Sequence, residues 1–293
     1  MKIHLSGIIP IANCKNDIET DFPDLLMPVD NGFNFIQKSV FECAMAGCDT
    51  IWIVANEDLS PAIRRIIGDW VYDPVYYKRD LASKFYTELR KEIPIYYVGI
   101  QPKDRDRRDS YGWSILQGIH TAYITSYRMS KWLTPEKYFI SFPFGVYDFY
   151  QLRENRKFIR NKKSNFFLTH DNQTTKQNKQ LPFTMTGEDF KLCRRAVNKK
   201  TSREFLPPSQ NQQYPSQKLP LHERWSARNF ELDEIFQSVN EDNAKYCELS
   251  WYHEILSWES YCDYIKSENL IKKPIGALTK PHKHVKIPYT LGD

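Results

Sequence analysis

The sequence predicts an α/β fold with a mostly parallel central sheet, and three observations carry that expectation. Short apolar, β-branched runs recur at Ile3 to Ala12, Thr50 to Ala55, Ile95 to Ile100 and Lys137 to Phe142. The segments between them hold helical periodicity and are long enough for a right-handed parallel crossover. The first run, IHLSGIIPIA, is apolar at nearly every position, as a strand covered on both faces must be.

Each element follows from local chemistry. Between the first two strands, Leu25 to Val29 and the turn Asp30-Asn31-Gly32 lead into Phe35 to Ala46, where Phe35, Ile36, Ser39, Val40, Cys43 and Ala44 fall at helical spacing and Gly47 supplies the stop. Ser60-Pro61 followed by Ala62, Ile63, Ile66 and Ile67 reads as a capped helix with proline in its first turn. After the third strand comes the charged loop Gln101 to Ser110, then an amphipathic helix from Tyr111 to Ser126 carrying Ile115, Ile119 and Ala122 inward. In such sheets ligands sit beyond the strand C-termini, which directs attention to the loops after Ala12, Ala55, Ile100 and Phe142.

Length and composition narrow the classes. The 293 residues can bury a sizeable core without disulfides or metal, and 41% apolar with 26% charged residues excludes disordered, collagen-like and coiled-coil chains. No apolar run approaches the roughly 20 residues needed to span a bilayer. Met1 to Cys14 lacks the pattern of a signal peptide, so the six cysteines are expected reduced and buried, with Cys43 and Cys48 in one apolar helix, and the chain is expected in the cytoplasm.

The net charge of +5 is mild, yet it is clustered: 151–224 holds sixteen Lys or Arg against six Asp or Glu. That divides the chain into an α/β core at 1–150, a basic, loop-rich insertion or substrate-side region at 151–224, and a C-terminal part at 225–293 that completes the cleft and ends in a Lys- and Pro-rich tail. Gln173 to Gln180 and Pro207 to Lys218 read as mobile loops. The tract is expected to be solvated rather than to bind nucleic acid. Leu249 to Ile265 reads as helix-compatible, with Trp251, Trp258 and Tyr261 on one helical face.

The order IIPIAN, FPDLLMPVDNG, FIQKSVFECAMAG, TIWIVAN resembles the N-terminal part of the sugar-phosphate nucleotidyltransferases, whose fold is the GT-A-like, Rossmann-related type. In wording (FPDLLMPV, PKDRDRRD, FPFGVYD, ERWSARNF) the chain is more similar to a divergent group of nucleotidyltransferase-like proteins of cyanobacterial tailed phages, which would place it in host cytoplasm. The resemblance implies Mg²⁺-assisted joining of a nucleoside triphosphate to a sugar phosphate with release of pyrophosphate. On it, Gln101 stands as the base-reading residue and Asn13 and Ser114 as substrate-side residues. Glu254, in WYHEILSWESY, stands where a metal-binding Asp is expected.

The chain departs from that family where the chemistry belongs. The Gly-rich phosphate loop is replaced by Asn13-Cys14-Lys15-Asn16-Asp17, the family's Lys after Pro by Asp24, and the metal-binding Gly-Asp falls at Ser141-Phe142-Pro143. Substitutes can be named. Arg105, Arg107 and Arg108, in the loop KDRDRRD, have the fork geometry that grips phosphate, and the alternative for that loop is a self-paired solvated one. Asp148 is the candidate for the displaced carboxylate with Glu254 as partner, against a turn role. Lys15 is the cation of the first loop, and Arg228 with Arg224 and Ser226 can close over an anion from the second half. His253 has no second histidine at zinc-ligand spacing. Two functions follow: a nucleotidyltransferase, or a catalytically inactive relative that binds a nucleotide, a sugar or a protein.

Overall fold

A computed structural model describes residues 3–12, 16–18, 20–74, 92–100, 111–200 and 230–273. The chain opens with β1 (Leu5–Pro10), buried along its whole length, then a small hairpin of β2 (Pro28–Asp30) and β3 (Phe33–Asn34). Helix α1 (Phe35–Ala46) starts at a capping box, in which the Asn34 side chain accepts from the Gln37 N–H at 2.9 Å and Gln37 returns the bond to the Asn34 N–H at 3.2 Å. It ends at Gly47, whose φ of 88° is the left-handed conformation a side chain disfavours.

There follow β4 (Thr50–Asn56), α2 (Ser60–Ile67), β5 (Trp70–Tyr72), β6 (Glu92–Ile100), α3 (Tyr111–Met129), β7 (Lys137–Ile140) and β8 (Gly145–Tyr147). The remainder comprises α4 (Tyr150–Glu154), α5 (Arg156–Ile159), β9 (Phe166–Thr169), β10 (Phe183–Thr186), α6 (Gly187–Lys200), α7 (Leu232–Phe236), β11 (Lys245–Glu248), β12 (Tyr252–Glu254) and α8 (Trp258–Lys266).

Eight strands form one sheet in the order β11-β9-β10-β7-β1-β4-β6-β5, and only β10 and β5 run against the rest. β9 and β10, from the basic tract, and β11 therefore extend the same sheet as β1. Alternate residues of β1 serve two cores. Leu5 and Ile9 pack with α1 on one face, and Ile8 packs with α3 and α6 on the other. The result is a three-layer α/β sandwich.

A buried cation fastens the N-terminal end of β7. Lys137 Nζ donates to the carbonyls of Ile159, Asn161 and Ser164 at 3.0, 2.9 and 2.7 Å, using all three of its donors on the turn after α5. Burial pushes its pKa down to about 7, with Asp189 opposing the shift.

Several local expectations change. Ser60 lies inside α2 and Leu59 takes the cap position, so the proline belongs to the first turn without a serine cap. Cys48 lies just past α1, its N–H donating to the Cys43 carbonyl at 3.0 Å as the helix closes. The Gln173 to Gln180 segment is ordered: Thr174 and Gln177 form a capping box around a short 3-10 turn, supplying local bonds that composition cannot reveal. Leu249 to Ile265 splits, because Tyr252–Glu254 finds a strand partner in β8, far away in sequence, and Ser257 then caps α8. Trp251 precedes the strand, so it does not share the helical face of Trp258 and Tyr261.

Candidate functional site

The topology defines where a ligand belongs. From β1 the chain builds outward through β4 to β6, then returns to place β7 on the other side of β1. The carboxyl ends of β1 and β7 flank this switch point, where open α/β sheets bind their ligands between the loops that leave them. Ile11 and Ala12 leave β1, and Ser141 to Phe144 leave β7. Asp17, further along the first loop, donates its N–H to the Leu256 carbonyl at 2.8 Å, which brings the exit of β12 to the same edge. Ser114, at the start of α3, is buried and donates its hydroxyl to the Ala12 carbonyl at 2.9 Å. It thus fixes the first loop from behind.

The loop after β7 is held from beneath by a buried ion pair that periodicity did not reveal. Lys38 Nζ donates to Glu42 Oε1 at 2.7 Å and to the carbonyls of Phe142 and Gly145 at 3.2 and 2.5 Å. Glu42 Oε2 accepts the Ser141 hydroxyl at 2.5 Å. Both charged side chains are fully buried, since α1 is covered all round. Burial pushes the Lys38 pKa down and that of Glu42 up, while their mutual contact opposes both shifts. The position of the family's metal-binding Gly-Asp is therefore a braced corner. Ser141 faces α1, and Phe142 packs on Tyr111 and Phe183 with ring centroids 5.5 and 6.4 Å away.

Beside this corner, at the carboxyl end of β9, lies a polar cavity of about 240 Å³ lined by His170, Asp171, Gln173, Lys179, Tyr252 and Glu254. Its walls are preorganised. Asp171 and Asn172 both adopt positive φ, 51° and 59°, as a tight hairpin turn requires, and Asp and Asn tolerate this better than most residues. Glu248 accepts the Asp171 N–H at 2.8 Å and the Thr169 hydroxyl, bracing that turn. Opposite, Glu254 accepts the Gln180 N–H at 3.1 Å and pairs with Lys179 at 3.3 Å. Gly145 permits this approach, because a Cβ there would overlap the Gln180 carbonyl oxygen. Burial, reinforced by the Glu254 charge, raises the Tyr252 pKa well above its ordinary value and keeps the phenol neutral. Carboxylate, ammonium, imidazole and amide groups around a small polar space can hydrogen-bond a hydroxylated ligand.

The two metal candidates are not opposite one another in the sheet. Glu254 pairs with Gly145 in the β8–β12 ladder, whereas Asp148 follows the other end of β8, three residue steps away. Asp148 Oδ1 accepts the Tyr150 N–H at 3.0 Å, the bond of a turn at the entry to α4. Among the described residues no group of three His, Cys, Asp or Glu is placed to hold a metal ion.

His253, next to Glu254 in β12, lies with its ring 5.6 Å from that of Tyr264, and burial lowers its pKa. Lys15, Asn13, Gln101, Arg105, Arg107, Arg108 and Arg228 lie outside the described residues.

No protein-family model matches the chain, and no curated protein sequence matches it. Solved structures do. A Bacillus anthracis protein assigned as a glucose-1-phosphate thymidylyltransferase, solved with sucrose, superposes with a TM-score of 0.56 at 9% identity, over 93% of this chain and 98% of that one. A UDP-glucose pyrophosphorylase solved with UDP-glucose gives 0.49 at 12% identity, over 89% and 97% of the two chains. The inositol-1-phosphate CTP transferase of T. maritima gives 0.45 at 11%, over 91% and 98%. At these identities the first likeness establishes the fold. This is the Rossmann-like α/β architecture found in sugar-phosphate nucleotidyltransferases, with its large, mostly parallel sheet and flanking helices. Among the described residues no helix is long and apolar enough to cross a membrane.

Proposed function

We propose that this chain works at the switch-point cleft as a nucleotidyltransferase-like protein, joining a nucleoside triphosphate to a sugar phosphate and releasing pyrophosphate. The observation that carries the reading is the cleft itself: a doubly wound sheet whose β1 and β7 loops diverge beside a preorganised polar cavity, in a fold shared along nearly the whole chain. In this reading Gln101 and Asn13 address the nucleotide, and Arg105, Arg107, Arg108 and Lys15 neutralise its phosphates. Arg228 closes the cleft from the second half, and the cavity of His170, Lys179 and Glu254 receives hydroxyl groups of the sugar. Charge stabilisation of the transferring group is assigned to the loop KDRDRRD, whose arginines would clamp phosphate and whose Asp residues would orient them or hold Mg²⁺.

A second reading, a relative that binds without transferring, is favoured by Ser141 and Phe142 in the place of the metal-binding pair. Calorimetry with the four nucleoside triphosphates tests what both readings share. At least one is expected to bind, and Arg107→Ala is expected to weaken it by about ten- to a hundredfold, the worth of a charge-assisted guanidinium–phosphate contact. Failure of a folded sample to bind any triphosphate counts against the enzyme.

A further inference from the structure

We infer that three carboxamide side chains at the carboxyl edge of the sheet, Asn16, Asn56 and Gln180, are ligand contacts of the switch-point cleft, with Asn56 meeting the nucleotide and Gln180 the sugar phosphate. The inference rests on the transferase reading of that cleft and adds residues to it. An unfilled hydrogen bond singles the three out. Asn16 Nδ2, Asn56 Oδ1 and Gln180 Oε1 are shielded from solvent and have no hydrogen-bond partner among the described residues. A buried polar atom left unpaired opposes folding, and native proteins keep few of them. An apolar side chain of the same shape would avoid that cost, so these amides serve something other than stability.

All three lie where the loops of the sheet diverge. Asn56 ends β4, paired in register with Ile100 of β6, the residue before Gln101 in the chain. Two residues earlier the Val54 carbonyl accepts the N–H groups of Ile11 and Ala12 at 2.9 Å, so the exit of β1 runs alongside. Asn16 belongs to that exit, next to Asp17, whose N–H is held by Leu256. Gln180 leads into β10 on the far side of β7 and is only 8% exposed. Its backbone is held twice, by the N–H bond to Glu254 at 3.1 Å and by the close approach of its carbonyl to Gly145. The amide is thus fixed in place by groups other than its own.

A carboxamide sets an acceptor beside two donors, the pattern that pairs with the edge of a nucleobase, and its oxygen takes the proton of a sugar hydroxyl without needing charge. Across the sheet from β4 through β1 and β7 to β10, the orphan atoms run acceptor, donor, acceptor. A base N–H, a phosphate oxygen and a sugar hydroxyl complement that series. Since β1 and β7 stand between Asn56 and Gln180, the two address different parts of what is bound. Asn165 also carries an unpaired amide oxygen, yet it lies by the amino end of β9, and its Nδ2 donates to Asp189 and to the Asn240 carbonyl at 2.9 Å each. Those two bonds give it a structural role that the three cleft amides lack.

Calorimetry of the full chain with each nucleoside triphosphate and, separately, with a panel of hexose 1-phosphates tests the inference, together with the denaturation midpoint of the ligand-free protein. Asn56→Leu is expected to weaken triphosphate binding about tenfold and leave hexose phosphate binding unchanged, and Gln180→Met to do the reverse. Asn16→Leu is expected to weaken both, through the phosphate they share. The midpoint should hold or rise in each variant, because an apolar group replaces an unpaired polar one. Alanine at the same positions gives the same comparison should one of these variants not fold. Affinities that stay at the wild-type level, or that fall for both ligands in Asn56→Leu and Gln180→Met alongside a lowered midpoint, overturn this inference and leave the cleft reading standing. A wild type that binds none of the probes overturns the cleft reading itself, and this inference with it.

Discussion

Lys38→Met is expected to destabilise the protein by about 3–5 kcal/mol, because it leaves the Glu42 carboxylate buried without its counter-charge and strands two carbonyls. The side chains are nearly matched in length, so packing changes little and the loss reports the broken network. Glu42→Gln should cost less, since the amide oxygen still accepts from the ammonium, its NH₂ can donate to a Ser141 hydroxyl that turns to accept, and Lys38 keeps the Phe142 and Gly145 carbonyls. The double variant Lys38→Met, Glu42→Leu removes both buried charges and is expected to be more stable than Lys38→Met alone. Urea denaturation of the three variants measures this directly, and a double variant carrying the sum of two large losses would show that the pair is not what holds the corner. Since the network grips Ser141, Phe142 and Gly145, the loop after β7 should loosen first, visible as faster amide exchange there.

Gly145→Ala acts on the same corner from the other side. Its Cβ would overlap the Gln180 carbonyl, a backbone atom that cannot rotate away, so β8 and the segment leading into β10 must separate. Overpacking of this kind costs about 1–3 kcal/mol, occasionally more. The structural consequence is local: the Gln180 N–H retreats from Glu254, and the wall of the polar cavity opens. Thermal denaturation checks the stability, and weakened binding of a sugar phosphate checks the cavity. A variant with wild-type stability would show that the close approach at Gly145 is not maintained in solution.

The two halves of the chain were legible to different degrees, for physical reasons. β1, α1 and β4 announce themselves because their signals are local: an apolar run, helical spacing from Phe35, a Gly47 stop. Lys38 and Glu42 stayed hidden because an i, i+4 ion pair on a helix is ordinarily a solvated one, and nothing nearby in sequence says that α1 is covered on every side. The wall made by His170 and Lys179 was missed since it comes from a Gln- and Asn-rich stretch whose order rests on a capping box and on a carboxylate, Glu248, some seventy residues away. Glu254 was singled out by motif, yet its partner in space is Gly145, a register that only β8 reveals.

The same register shapes the functional account. In the proposed transfer, charge stabilisation comes from elsewhere than the braced Ser-Phe corner, and the loop KDRDRRD is its proposed source. The measurement that tests this most directly is pyrophosphate release from the purified chain, supplied with each nucleoside triphosphate together with a panel of sugar phosphates. Release is expected to require both substrates for at least one pairing and to fall sharply in Arg107→Ala. A folded sample that binds a triphosphate but releases no pyrophosphate with any sugar phosphate would contradict nucleotidyl transfer and leave the cleft as a binding site alone.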